Sequence, residues 1–254
     1  MFMNWFCCAS NMFTTFFGWE CLGLFSFFLI SYWFVRFNTI KCAFRSLLIG
    51  KFGELAFCLM LIDLSGITMY YLMFFLSDSV IILWFCIAIL MVGFSKSTQF
   101  GLHIWLPDAM EGPIPVSSLI HALTLVTIGI ILTCIIWYFI DIWFSIFIYV
   151  AFWISIIIFC IAWLIMLQLD IKRIVAFSTI YQIASSMFVV FTIDFTLGYF
   201  LFCYHMFYKA TLFMVLGVLI HTFFSIQDLR LVTFNYSLFL LYSVLTITIF
   251  NSLS

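Results

Sequence analysis

Residues 79–117 read SVIILWFCIAILMVGFSKSTQFGLHIWLPDAMEGPIPVS. Seventeen uncharged residues, Ser79–Ser95, run straight into Lys96 and then Ser97, Thr98 and Gln99. The next stretch, Gln99–Pro115, carries His103, Asp108, Glu111 and the prolines before apolar sequence resumes at Val116. An uncharged run of this length is long enough to cross most of a bilayer as a helix. Polar backbone at membrane depth is tolerated only where protein or a water-filled cavity surrounds it. The stretch therefore predicts a transmembrane helix that is interrupted near Lys96–Pro115 inside a bundle.

The rest of the 254 residues agree with that reading. The chain is 67% hydrophobic and 22% aromatic but only 7% charged, with 9 basic and 10 acidic residues. Soluble domains run at about 45–50% apolar and about 25% charged, so a soluble enzyme, a nucleic-acid binder and a disordered segment are excluded. The expected fold class is all-α, a polytopic membrane bundle of about eight helices forming one membrane domain over residues 1–254. The spans are about Met12–Val35, Ala43–Ile62, Ser79–Ser95, Val116–Ile140, Ile142–Leu169, Ile174–Ile193, Leu197–Ile220 and Leu231–Phe250. With alternating spans, Arg36, Lys41, Arg45, Lys172, Arg173 and Arg230 emerge on one face, and Asp63, Asp78, Asp141 and Asp194 on the other. Positively charged connections stay on the cytoplasmic or matrix side, so the N-terminus is expected to face outward. The nine cysteines are scattered without a CxxC pair, which predicts neither a disulfide framework nor a metal site. The 36 phenylalanines fit a T-rich coding sequence such as that of an organellar genome.

Function is carried by the ionisable residues inside the spans. Each costs about 2.5–3.5 kcal/mol at the bilayer centre, and such groups face the bundle interior and mark ion or proton paths. The candidates are Glu20, Lys51, Glu54, Lys96, His121, His205 and Lys209. Each also has a plainer reading. Glu20, between Gly18 and Gly23, could be a neutral buried carboxyl or a structural partner, and Lys96 a lysine that snorkels from a helix end. Lys51 and Glu54, three apart, share a helical face and can neutralise one another. His121 can be a core histidine satisfied by a hydroxyl, and otherwise has a side chain able to change protonation state under modest perturbation. His205 and Lys209 are four apart, stacked about 6 Å along one helix face. No GxGxxG, phosphate loop or serine–histidine–aspartate arrangement occurs, so no nucleotide, flavin, haem or iron–sulfur site is expected in this chain.

Several stretches resemble the antiporter-like membrane subunits of the proton-pumping NADH–ubiquinone oxidoreductase, respiratory complex I. They are Gly18-Trp19-Glu20 with Leu22-Gly23 and Ser26, and the distinctive run His103–Ser117 continuing through Leu119-Ile120-His121-Ala122 and Thr124–Thr127. Asp170–Thr179 with Gln182, then His205, Phe207, Lys209-Ala210 and Leu212-Phe213, and Gln227–Arg230 follow in order. The central run is most similar to the chain-5 type, chains 2 and 4 carrying different versions. Bacterial sodium/proton antiporter subunits share it.

The resemblance implies a proton half-channel. Glu20 takes the place of a carboxylate that pairs with the pump lysine, Lys96 the place of that lysine, and His121 that of the next proton carrier. His205 and Lys209 fall further along the polar axis, Glu54 on the helix after Glu20, and separating Glu20 from Lys96 drives the proton toward His121. It implies a mitochondrial inner-membrane location and partnership with other membrane-arm subunits. NADH, FMN, iron–sulfur clusters and ubiquinone would be held by the complex and not by this chain, with phospholipids such as cardiolipin as neighbours. Members of the family have helices before the glutamate helix, a second interrupted helix and a lateral C-terminal helix, and a further histidine where this chain has Leu201. A separately encoded chain supplying the missing half is the expectation, and a non-pumping scaffold or a cation/proton antiporter subunit are the rival readings.

Overall fold

The computed structural model describes residues 2–9, 11–63, 79–99, 101–137, 144–222, 227, 228 and 230. These residues form helices α1 (Phe2–Cys7), α2 (Met12–Ile30), α3 (Phe37–Asp63), α4 (Ser79–Lys96) and α5 (Trp105–Asp108). A 3-10 turn (Ala109–Glu111) leads to α6 (Ile114–Ser118), a π-helical turn (Leu119–Thr124) and α7 (Leu125–Trp137). Then come α8 (Phe144–Leu167), α9 (Ile171–Thr192) and α10 (Phe195–Thr222). The membrane reading holds. Four described helices are long and apolar enough to cross a bilayer: Phe13–Ile30, Ile148–Leu167, Ile171–Thr192 and Phe195–Thr222. Helix α3 is also long enough, roughly 40 Å at 1.5 Å per residue, but it carries Lys41, Arg45, Lys51 and Glu54.

Helix ends depart from the expected spans for local reasons. The first span stops at Ile30, not Val35, where the Ser31 amide donates to Phe27 O and the chain turns. The Thr39 hydroxyl then ties the start of α3 to Trp33 O at 2.8 Å. The fourth span begins at Ile114, because Pro113 and Pro115 suit a helix's first turn, where no amide partner is needed. That span is not a uniform α-helix, since residues 119–124 are wound as a π turn. Helix α1 was not expected from the sequence, and the eighth span, Leu231–Phe250, lies outside the described residues.

Neighbours in the bundle follow the chain only in part. Helix α1 packs on α2, α2 on α3, α3 on α4, α4 on α7, and α9 on both α8 and α10. Helix α10 also lies against α6 and the π turn. Of the α9 window 61% is buried against 17% for α8, so α9 is interior and α8 is the outer helix. The core includes Trp19, Phe57, Ile89, Leu106, Ile128, Ile183, Met187 and Phe213. Small residues let backbones meet where these helices cross. A Cβ on Gly129 would lie 2.7 Å from Ser97 Cβ and 2.9 Å from its amide, so α4 and α7 touch backbone to backbone.

The ends that carry basic connections lie together. Ile171 N donates to Gln227 O at 3.1 Å, and Asp170 and Asp228 form an isolated bridge, joining the α8–α9 connection to the stretch after α10. Arg45 near the start of α3 pairs with Asp108 at 3.0 Å. The charges of Asp108, Glu111, Arg45 and Arg173 all act on Cys42.

Candidate functional site

Helix α4 ends in the residues that define the site. The Ser97 amide donates to Gly93 O and the Gln99 amide to Phe94 O, each at 2.9 Å, which closes a Schellman-type cap. The residue that must adopt the left-handed conformation there is Thr98, at φ 60°, where glycine is the usual occupant. A β-branched residue in that region is a genuine conformational outlier. Ser95, Ser97, Thr98 and Gln99 are all fully buried. The segment beyond is pinned back, since the Trp105 indole N–H donates to Ser95 O at 3.2 Å. Burial holds the His103 imidazole below its ordinary range, favouring the neutral ring.

Lys96, the last residue of α4, is buried at 4% exposure. Its ammonium is cradled by two glycines: a Cβ on Gly50 of α3 would lie 3.1 Å from Nζ, and one on Gly23 of α2 would lie 3.4 Å from it. Nζ also stands 5.2 Å from the centroid of the Trp19 ring. Glu20, Lys51 and Glu54 complete the pocket, with Gly23 and Gly50 in its wall. About 10 Å³ of it is open to the centre of a water molecule, room for about one water.

The carboxylates are arranged around Lys51. Its Nζ donates to both oxygens of Glu20 at 2.9 Å and forms an ion pair with Glu54 one turn along α3. Here the expectation is corrected, because Glu20 pairs with Lys51 and not with Lys96. The long α3 brings Lys51 across the face of α2 that carries Glu20, and Lys51 reaches both acids at once. Glu54 adjoins the ammonium, since a Cβ on Gly23 would lie 3.4 Å from both Glu54 Oε1 and Lys96 Nζ. Exposure falls through the group, from 44% for the Lys51 side chain to 27% for Glu20 and 7% for Glu54. The cluster therefore runs from accessible to dry, with Lys96 at the dry end.

The other candidates lie elsewhere. Lys209 and His205 share the buried face of α10, at 2% and 3% exposure. The Lys209 ammonium donates to Ser178 Oγ at 2.5 Å and to Val175 O at 3.2 Å, both on α9. Among the described residues no carboxylate is in ion-pair range of Lys209. His205 packs its ring edge-on to Tyr208 at 5.1 Å, and its Nε2 is buried without a protein partner. His121 sits in the π turn, and its side chain lies outside the described residues. Ser97, just after α4, approaches α9, its Oγ lying 3.9 Å from Met187 Sδ, and Thr179 and Ser186 are buried on α9. The structure thus joins Glu20, Lys51, Glu54 and Lys96 in one cluster and sets Lys209 and His205 in a second. Sequence reasoning missed Trp19, Gly50 and Ser178. Trp19 and Ser178 had a signal available, since both lie in stretches that carry the family resemblance.

A family described as NADH:quinone oxidoreductase/Mrp antiporter, TM, matches residues 9–252. The chain is 49% identical over 240 residues to NADH-ubiquinone oxidoreductase chain 5 of Trypanosoma brucei brucei, covering 92% of this chain and 41% of that relative. It is 33% identical over 247 residues to NADH-quinone oxidoreductase subunit L of Rickettsia felis, covering 90% of this chain and 38% of the relative. The chain therefore spans about two fifths of the length of these relatives. Among solved structures, the Mrp complex from Dietzia sp. has a chain similar at a TM-score of 0.76 and 26% identity, over 87% of this chain and 25% of that one. A chain of an archaeal membrane-bound sulfane sulfur reductase shares the fold at a TM-score of 0.74 and 18% identity, over 86% of this chain and 47% of its own length.

Proposed function

The chain belongs to the NADH:quinone oxidoreductase/Mrp antiporter transmembrane family, and from that premise we propose that it is a proton-carrying membrane-arm subunit of an NADH–ubiquinone oxidoreductase. It works in the mitochondrial inner membrane, within an assembly whose other chains hold the redox centres and complete the path. It has no active site of its own, and its contribution to the enzyme is proton movement driven by chemistry elsewhere. The observation that carries this reading is the burial of Lys96 against a three-membered carboxylate–lysine cluster. A dry amine beside acids shared with a second, more exposed amine is a proton-holding device.

The chemistry follows from electrostatics. An opposite charge nearby favours the charged form of an amine, and its withdrawal favours release of the proton. Lys51 is the group that can change the charge seen by Lys96, because it holds Glu20 and Glu54 together. When Lys51 sits on both acids, less of their negative charge is free for Lys96. When it swings to Glu20 alone, Glu54 is released to Lys96. Alternation between these states would load and discharge the lysine without moving a helix. In this reading Lys209, held by Ser178 on α9, is a second buried amine available to a proton released from Lys96.

The test is Lys96→Met in the whole complex reconstituted into vesicles. The expected result is NADH oxidation accompanied by a markedly lower number of protons moved per electron pair, with subunit content intact. An unchanged ratio would defeat the proposal and leave a structural role. Similarity to a chain of the Mrp complex keeps a second reading in view, a cation/proton antiporter subunit. Sodium-dependent proton movement in the same vesicles without NADH would favour that one.

A further inference from the structure

We propose that the indole face of Trp19 is a positioning surface for the Lys96 ammonium, a second resting place that holds the charge when both carboxylates are engaged by Lys51. This rests on the proton-carrying reading above and extends it to a residue that neither donates nor accepts the proton.

Lys96 Nζ lies 5.2 Å from the Trp19 ring centroid, inside the range of about 6 Å over which an ammonium is attracted to an aromatic face. No hydrogen bond or ion pair joins Lys96 to another side chain among the described residues, and the two glycines beside it bring only backbone. The ring face thus borders the ammonium beside Glu54, whose Oε1 lines the same space at Gly23. The ring itself is enclosed. Trp19 has no exposed surface, and its ring meets Phe57 of α3 at 5.9 Å and Phe6 of α1 at 6.3 Å. Its indole nitrogen is buried without a protein partner, although a buried tryptophan N–H ordinarily finds one. The placement therefore serves the ring face and not the polar edge. Tryptophan is also the best of the aromatic side chains for this purpose. The charged groups around the ammonium from the helices packed on it are Glu20 of α2 and Lys51 and Glu54 of α3, and α7 contributes no acid or base over Leu125–Trp137.

The consequence is graded. Replacing Trp19 by Phe keeps a ring of weaker attraction, while Leu keeps bulk and removes the attraction. In the assembled complex, proton transfer per electron pair is followed against pH in Trp19→Phe, Trp19→Leu, Lys96→Met and the double variant Trp19→Leu/Lys96→Met. The alkaline limb of pumping is expected to move to lower pH by about half a unit in Trp19→Phe and further in Trp19→Leu. That corresponds to a roughly threefold loss on that limb, with NADH oxidation by the redox arm retained. In the Lys96→Met background, Trp19→Leu should have no further effect on the pH profile. An unshifted limb in Trp19→Phe and Trp19→Leu, with Lys96→Met still defective, overturns the role of Trp19 alone. Should Trp19→Leu fail to assemble, Trp19→Phe decides by itself: a wild-type profile there overturns the proposal. Normal pumping in Lys96→Met overturns the proton-carrying reading instead.

Discussion

Lys51 and Lys209 illustrate two ways of keeping an amine inside an apolar bundle. Lys51 reaches three carboxylate oxygens on two helices while leaving part of its stem accessible. Lys209 is fully enclosed and is satisfied by one hydroxyl and one carbonyl. Hydrogen bonds to charged groups are worth about 1.5–3 kcal/mol, so loss of the hydroxyl should be felt. Ser178→Ala is expected to destabilise the purified assembly by about that amount, seen as a lower midpoint of heat inactivation, while Ser178→Thr retains it. A wild-type midpoint in Ser178→Ala would show that the hydroxyl contributes nothing. The sequence announced that these amines were unusual, because each interrupts a long apolar run. It could not announce their partners. Spacing places Lys51 and Glu54 on one face of α3, but whether Glu20 or Lys96 faces them depends on which helix crosses where.

At the scale of elements, apolar length located seven of the eight expected spans among the described helices, with ends displaced by up to six residues, as at Phe37 against the expected Ala43. The two special backbone features were not legible. The π turn at Leu119–Thr124 has no turn-forming residue to announce it, and Thr98 occupies a site where sequence rules look for glycine. Strain at a left-handed non-glycine residue costs of order 1–3 kcal/mol. Thr98→Gly is therefore expected to stabilise the assembly, raising its heat-inactivation midpoint, because glycine adopts the same conformation without penalty. A fall in the midpoint would mean that the threonine hydroxyl, which donates to Ser97 O at 2.6 Å, matters more than the strain. This left-handed residue lies two positions after Lys96, where the backbone turns out of α4.

Over the whole molecule, one end gathers Arg45, Asp108, Glu111, Arg173 and the strand-like contact between Asp170 and Asp228. Two of the basic connections, before α3 and between α8 and α9, thus lie near one another. The molecule holds two buried amine sites, one on α2–α3–α4 and one on α9–α10, and Ser97 after α4 approaches Met187 of α9. Such a layout was only half legible beforehand, since intramembrane charges can be counted in a sequence while their grouping is set by tertiary packing. The central claim is that charge shared through Lys51 controls Lys96 during turnover. The most direct measurement is the infrared difference spectrum of the assembled complex between its resting and NADH-driven states. The account predicts a carboxylate band that shifts on turnover and is abolished in both Glu54→Gln and Lys51→Met. A spectrum in which turnover and pumping proceed with no Glu54-dependent band would contradict it.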